Sequence, residues 1–215
     1  MEVVFLKRIP IIHEGYKFIF IAFFIAIICC FLGSGLFAIV PGVLGCYFIY
    51  FFRNPKRKIT KDEEVIISPA DGIVKNIEHV SYNEFIDGPG NKIVIFMSVF
   101  NVHVNRSPIE GTLKYEEYIS GKFKPAYKNN VGFENERHII GIENNDLRIT
   151  VTQIAGILAK RIVSWVTVGD ELCKGELFGM IKFGSCVEII LPEKIEILSQ
   201  IGDKVKGGIS IIGKK

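Results

Sequence analysis

The sequence predicts a mainly β fold: a compact antiparallel β-sandwich-like domain preceded by an N-terminal helical hairpin. Three observations carry this expectation. No charged residue occurs from Phe18 to Phe52. From Glu64 onward, short runs rich in Val and Ile alternate apolar and polar residues and are punctuated by Gly and Pro. In that second region no amphipathic pattern persists beyond about two helical turns. The 49% hydrophobic content of the 215 residues is therefore unevenly spread, and the chain divides into 1–58 and 59–215, built for two different solvents.

The uncharged stretch of 35 residues would span about 52 Å as one helix, against a hydrocarbon core of about 30 Å. Gly33–Ser34–Gly35 and Pro41–Gly42 interrupt it, so two short helices joined near Gly33 are expected. Lys7, Arg8 and Lys17 precede the stretch and Arg53, Lys56, Arg57, Lys58 and Lys61 follow it. The positive-inside rule puts both flanks in the cytoplasm, which requires an even number of crossings or a re-entrant hairpin. The basic residues after the hairpin add attraction to an anionic membrane surface, on the order of 1 kcal/mol each. A cleaved signal peptide fits less well, because the run is too long and no small-residue cleavage site follows. Cys29, Cys30 and Cys46 fall in the hairpin, and Cys173 and Cys186 show no C-x-x-C spacing. Neither a metal site nor a disulfide framework is expected.

In the second region "VGDELCKGELFGMI" from Val168 and "IGDKVKGGISIIG" from Ile201 repeat the pattern apolar-Gly-Asp followed by Lys-Gly, 33 residues apart. Each Gly-Asp suits a tight turn and each Lys-Gly a second one. The pattern is similar to the turns of biotinyl and lipoyl carrier domains, as is "SPADGIV" at 68–74. A carrier would present its modified lysine at a turn tip, but the nearest match, Lys182 in "GMIKF", falls in an apolar strand pattern. The architecture can be shared without the activity.

"FGSC", residues 183–186, allows three readings. A hydrolase nucleophile elbow would need G-x-S-x-G before a helix, whereas "CVEIILP" reads as a strand. A small-residue bulge in a buried strand is the plainest reading. The third is self-cleavage. Ser185 Oγ attacks the Gly184 carbonyl, the amide becomes an ester, and β-elimination followed by hydrolysis leaves a pyruvoyl group. Glycine before the serine lets the backbone bend into that geometry.

Five segments in order, "SPADGIV" (68–74), "FNVHVNRSPIEG" (100–111), "ENER" (134–137), "GDELCKGELFGMIKFGS" (169–185) and the following "VEIILP", resemble phosphatidylserine decarboxylase proenzymes of the short prokaryotic type. The resemblance implies a membrane-associated, pyruvoyl-dependent lyase in which 59–215 is the decarboxylase domain. It implies a cut between Gly184 and Ser185 into a β chain 1–184 and an α chain 185–215, with a covalent pyruvoyl group derived from Ser185 and neither metal nor pyridoxal phosphate. The substrate amine would form a Schiff base with that group, lose CO2 and leave as phosphatidylethanolamine. Alternatives are the same chemistry on an archaeal ether-lipid serine, and a non-catalytic membrane-tethered carrier or binding module.

The same resemblance assigns Asp71, in "PADG", to an Asp-His-Ser set for self-processing. His103, in "FNVHVN", falls by alternation on a polar face with Asn101 and Asn105 and suits acid–base work. The family carries a second histidine three positions on, which falls at Arg106 here when Pro108 is aligned. His103 then serves both steps, or His138 beside "ENER" takes one. Arg106 and Arg137 are candidates for a phosphate or carboxylate and equally for structural ion pairs. "FKPAY", 123–127, resembles a family segment near substrate and membrane. Expected partners are a phospholipid, an anionic bilayer, the two processed chains of the enzyme and, optionally, further copies of it, but not nucleic acid.

Overall fold

A computed structural model describes residues 10–121, 135–156, 161–182 and 185–215. The chain forms two units, Val4–Lys56 and Arg57–Lys215.

In the first unit a 3-10 turn, His13–Gly15, leads into helix α1 (Tyr16–Phe31), which a short turn joins to helix α2 (Gly35–Phe51). The turn depends on Gly33 at φ 72°, a left-handed conformation that costs glycine little. Gly33 and Ser34 N–H groups donate to the carbonyls of Cys30 and Cys29, closing the end of α1. Gly45 lets the helices approach, since a Cβ there would lie 2.9 Å from the Phe23 ring. Pro41 sits within α2, where its missing N–H removes one ladder bond without ending the helix. The ends are tied by Ile12 N–H to Phe52 O (2.9 Å) and Asn54 N–H to Pro10 O (2.7 Å). His13–Phe31 is long and apolar enough to cross a membrane, and Gly35–Phe51 is a shorter apolar helix. Phe31 is 87% exposed and Leu36 77% exposed, apolar surface that water does not favour.

The second unit is mainly β, as expected. Its large curled sheet runs, in spatial order, β13 (Lys204–Val205), β2 (Gly72–Asn83), β3 (Gly88–Met97), β11 (Ser185–Pro192), β7 (Arg148–Ala155), β6 (Arg137–Glu143), β5 (Gly111–Ile119) and β9 (Glu171–Leu172), with every pair antiparallel. Two small sheets accompany it: β4 (Val104–Arg106), β10 (Leu177–Ile181) and β8 (Ile162–Ser164), and β1 (Val65–Ile67), β14 (Ile211–Lys214) and β12 (Glu196–Ile197). Period-2 alternation aims Ile93, Ile95 and Met97 of β3, Val187, Ile189 and Leu191 of β11, and Ile149 and Val151 of β7 into one core. Phe178 of β10, Ile66 of β1 and Ile212 of β14 complete that core from the small sheets, giving the sandwich-like layering.

The repeat read from the sequence is a structural pair. Gly169 and Gly202 have φ 101° and 98°, and Asp170 and Asp203 each accept from the backbone N–H three residues earlier, Thr167 and Gln200, at 2.9 and 2.8 Å. Gly169 N–H donates to Leu113 O and Gly202 N–H to Val74 O, both at 2.8 Å. The partners of the two turns repeat as well. "SPADG" before β2 and "SPIEG" before β5 match in geometry, Ser68 Oγ donating to Ala70 O (2.7 Å) and Ser107 Oγ to Ile109 O (2.6 Å). The β unit thus has an internal pseudo-twofold, and Asp71 and Glu110 occupy equivalent corners.

Candidate active site

Ser185 opens β11, the strand between β3 and β7, and its backbone pairs with Met97 on one side and Ala155 on the other. Pairing with β3 continues to Pro192. A chain beginning at 185 would therefore remain stitched into the sheet after a cut. Gly184 lies outside the described residues, as does 123–127.

The strand entering that junction, β10, is tied to His103: the N–H of Ile181 donates to the His103 carbonyl at 3.3 Å. The His103 side chain is fully buried, with Nδ1 2.9 Å from the Asn101 carbonyl oxygen. A carbonyl only accepts, so Nδ1 carries the proton and Nε2 presents the lone pair. That is the tautomer a general base needs.

Asp71 stands just before β2, where Ile73 pairs with Phe96; Gly72 thus shares the end row of the sheet with Met97 and Ser185. The carboxylate takes both oxygens to Arg57 Nη2, at 3.0 and 2.8 Å, and Oδ1 also accepts from Gly207 N–H at 2.7 Å. No hydrogen bond joins it to His103. What lies near it is Arg106, whose pKa is lowered to about 10 by burial first and then by Arg57, while Asp71 opposes the shift. Arg106 Nη1 donates to Gly175 O (3.0 Å), and a Cβ on Gly208 would come 2.9 Å from Arg106 Cδ. Both Lys-Gly turns of the repeat thus bracket this cluster, one through Gly175 and the other through Gly207 and Gly208. The Arg57 and Arg106 guanidinium groups and the Asp71 carboxylate thus form one charged cluster at the end of the central strands.

His138 lies elsewhere, in a buried polar chain. Its Nε2 is 2.9 Å from Glu116 Oε1 and its Nδ1 3.1 Å from Gln153 Oε1; Gln153 Nε2 donates to Asn105 Oδ1 at 2.8 Å. The chain runs from β5 across β6 and β7 to β4. Arg137, one residue before His138, points to the other face of the sheet, where it acts on Glu188. The structure thus brings Asp71 and Arg106 together, ties the His103 backbone to β10, and sends Arg137 elsewhere. Sequence reasoning missed Arg57, Gly207, Gln153 and Glu116. The polar Gln153 inside the apolar run "ITVTQIAG" was the one available signal. No cluster of three or more metal-ligating side chains occurs among the described residues.

A family model described as phosphatidylserine decarboxylase matches residues 44–213. Curated relatives agree with that match. A phosphatidylserine decarboxylase proenzyme of Carboxydothermus hydrogenoformans is 52% identical over 80% of this chain and 81% of its own. Those of Symbiobacterium thermophilum (40% identical, 97% of each chain) and Geotalea uraniireducens (38%, 96% of this chain and 97% of its own) match nearly end to end. These matches favour a phosphatidylserine decarboxylase over both the carrier module and the ether-lipid alternative.

Proposed function

The chain belongs to the phosphatidylserine decarboxylase family, and from that premise we propose that it converts phosphatidylserine to phosphatidylethanolamine with a pyruvoyl group that it makes from its own Ser185. The observation that supports this most is the register at the start of β11, which puts residue 185 at the end of a central strand, paired on both sides, directly after a strand bonded to His103. A pyruvoyl end fits that position, because the pairing through Pro192 anchors it without any bond to residue 184. The ketone of that group, once present, supplies an electron sink for the carbon that loses CO2.

The chain's own residues make the group and serve it. His103 Nε2, held in the basic tautomer by Asn101, takes the Ser185 hydroxyl proton as Oγ attacks the Gly184 carbonyl, then returns a proton to the leaving nitrogen. Arg106 occupies the position of the family's second histidine, and a guanidinium with a pKa of about 10 is a poor base at neutral pH. Both proton tasks therefore fall to His103. Asp71 serves at one remove, by neutralising Arg57 and Arg106 and fixing the Gly207 turn. Of that corner's groups, Arg106 is the one that would meet the substrate's phosphate or carboxylate.

Residues 1–58 hold the enzyme at the cell membrane, where the phospholipid lies, and 59–215 forms the decarboxylase domain on the cytoplasmic face, drawn to anionic headgroups by the basic flank. The test is release of CO2 from phosphatidylserine in mixed micelles by the purified protein. Wild type should turn over and Ser185→Ala should not; turnover by Ser185→Ala would reject the pyruvoyl.

A further inference from the structure

Asn105 of β4 carries a buried amide donor whose acceptor is a thioether. Its side chain is fully buried, as is that of Gln153. Gln153 Nε2 occupies Asn105 Oδ1, which fixes the carboxamide so that its NH2 group faces away from β7. Among the described residues that NH2 has one partner, the Met97 thioether, 3.9 Å from Nδ2. A thioether is a weak acceptor, so a buried amide donor is held against almost nothing in the uncut chain.

The two neighbours of this carboxamide locate it. Met97 is the β3 partner of Ser185, and Gln153 is the β7 partner of Val187. Because β11 runs between β3 and β7, a group touching both Met97 and Gln153 lies across the first rungs of β11. His103 is two residues earlier on the same chain, just before β4, and its side chain is fully buried as well. Gly179 leaves room for the arrangement: a Cβ there would come within 3.0 Å of the Gln153 amide. Behind Gln153, His138 and Glu116 extend the polar chain, at 3.1 Å from Gln153 Oε1 and 2.9 Å between ring and carboxylate.

We propose that Asn105 is the oxyanion donor of the self-cleavage step, aligned by the Glu116–His138–Gln153 chain. When Ser185 Oγ bonds to the Gly184 carbonyl carbon, the carbonyl π pair moves to oxygen, and the Ser185 proton goes to His103. An Asn105 N–H donates to that oxygen until the C–N bond breaks and its nitrogen takes the proton back. A preorganised donor of this kind accelerates a step by about 10²–10³. Gln153 and His138 are positioning residues. The inference rests on cleavage at Gly184–Ser185 and concerns only how that step is assisted.

Asn105→Asp tests it in the full chain, because it keeps an acceptor for Gln153 while removing the N–H. Processing is followed by intact mass after synthesis in a cell-free system, without reference to decarboxylation. We expect the half-time of cutting to lengthen about 100-fold or more while the thermal transition of the uncut protein stays cooperative. Added hydroxylamine, which cuts any accumulated ester, should not restore the rate, because ester formation is the slowed step. Gln153→Met, of similar volume, should slow cutting less but in the same direction, and serves alone if Asn105→Asp does not fold. Cutting within twofold of wild type in either folded variant overturns the proposal, as does rescue by hydroxylamine. A wild-type chain that never cuts at this bond would instead overturn the function on which the inference rests.

Discussion

Asp71 and His103 have separate hydrogen-bond partners, Arg57 and Gly207 for the first and the Asn101 carbonyl for the second. The Asp71 carboxylate is committed to Arg57 and Gly207, with Arg106 close by. Asp71→Asn keeps the size but removes the carboxylate that pairs with the mostly buried Arg57 guanidinium. The expected loss is about 3 kcal/mol in denaturant unfolding, with slower processing; an unchanged midpoint would remove the charge argument. His103→Gln should abolish processing while leaving the fold intact by circular dichroism, since the amide can keep a donor for the Asn101 carbonyl that Nδ1 meets at 2.9 Å. At this scale motifs alone nominated Ser185, His103 and Asp71 as candidates. Arg57 was not legible, because it reads as one more residue of a basic flank. Its partner lies 14 residues on, and only the folded chain brings the two together.

Elements set the corner by close approach. Gly72 starts β2 where a Cβ would meet Phe96 O at 2.3 Å, so Gly72→Ala must push β2 off β3 beside the cleavage row. The account expects insoluble or strongly destabilised protein, well over 2 kcal/mol by unfolding, whereas Gly88→Ala, with open space around it, should be near neutral. On the opposite sheet face Glu188 of β11 has its pKa raised, first by burial and also by Glu78, with Lys92 and Arg137 opposing. A raised folded pKa means the fold prefers the protonated acid, so this group stabilises below the ordinary carboxylate range and loses that contribution as pH rises through the folded value. Glu188→Gln should therefore raise the melting temperature at pH 7 and lose its advantage in acid; a destabilised variant at pH 7 would show that the Lys92 and Arg137 attractions dominate instead. Strand existence was legible from period-2 alternation and Gly-Pro punctuation. The strand order was not, because β3, β11 and β7 are neighbours drawn from distant parts of the chain. The Gly-Asp repeat was visible in the sequence, but its matching "SPADG" and "SPIEG" corners gained meaning only when Val74 and Leu113 were seen to receive the two turns.

For the whole molecule, the apolar helices α1 and α2 carry the solvent argument and the β unit the chemistry. If both chain flanks face the cytoplasm, the exposed Cys173 is reached by a membrane-impermeant maleimide only after cells are opened, tested in a variant lacking Cys29, Cys30 and Cys46. Labelling of intact cells would reverse the orientation. The central claim is that the chain makes its own reactive end, and intact mass of the purified full-length protein tests it most directly. The account predicts two chains, 1–184 and 185–215, the shorter one starting with a pyruvoyl group and blocked to N-terminal sequencing. A single uncut chain that still releases CO2 from phosphatidylserine would contradict it.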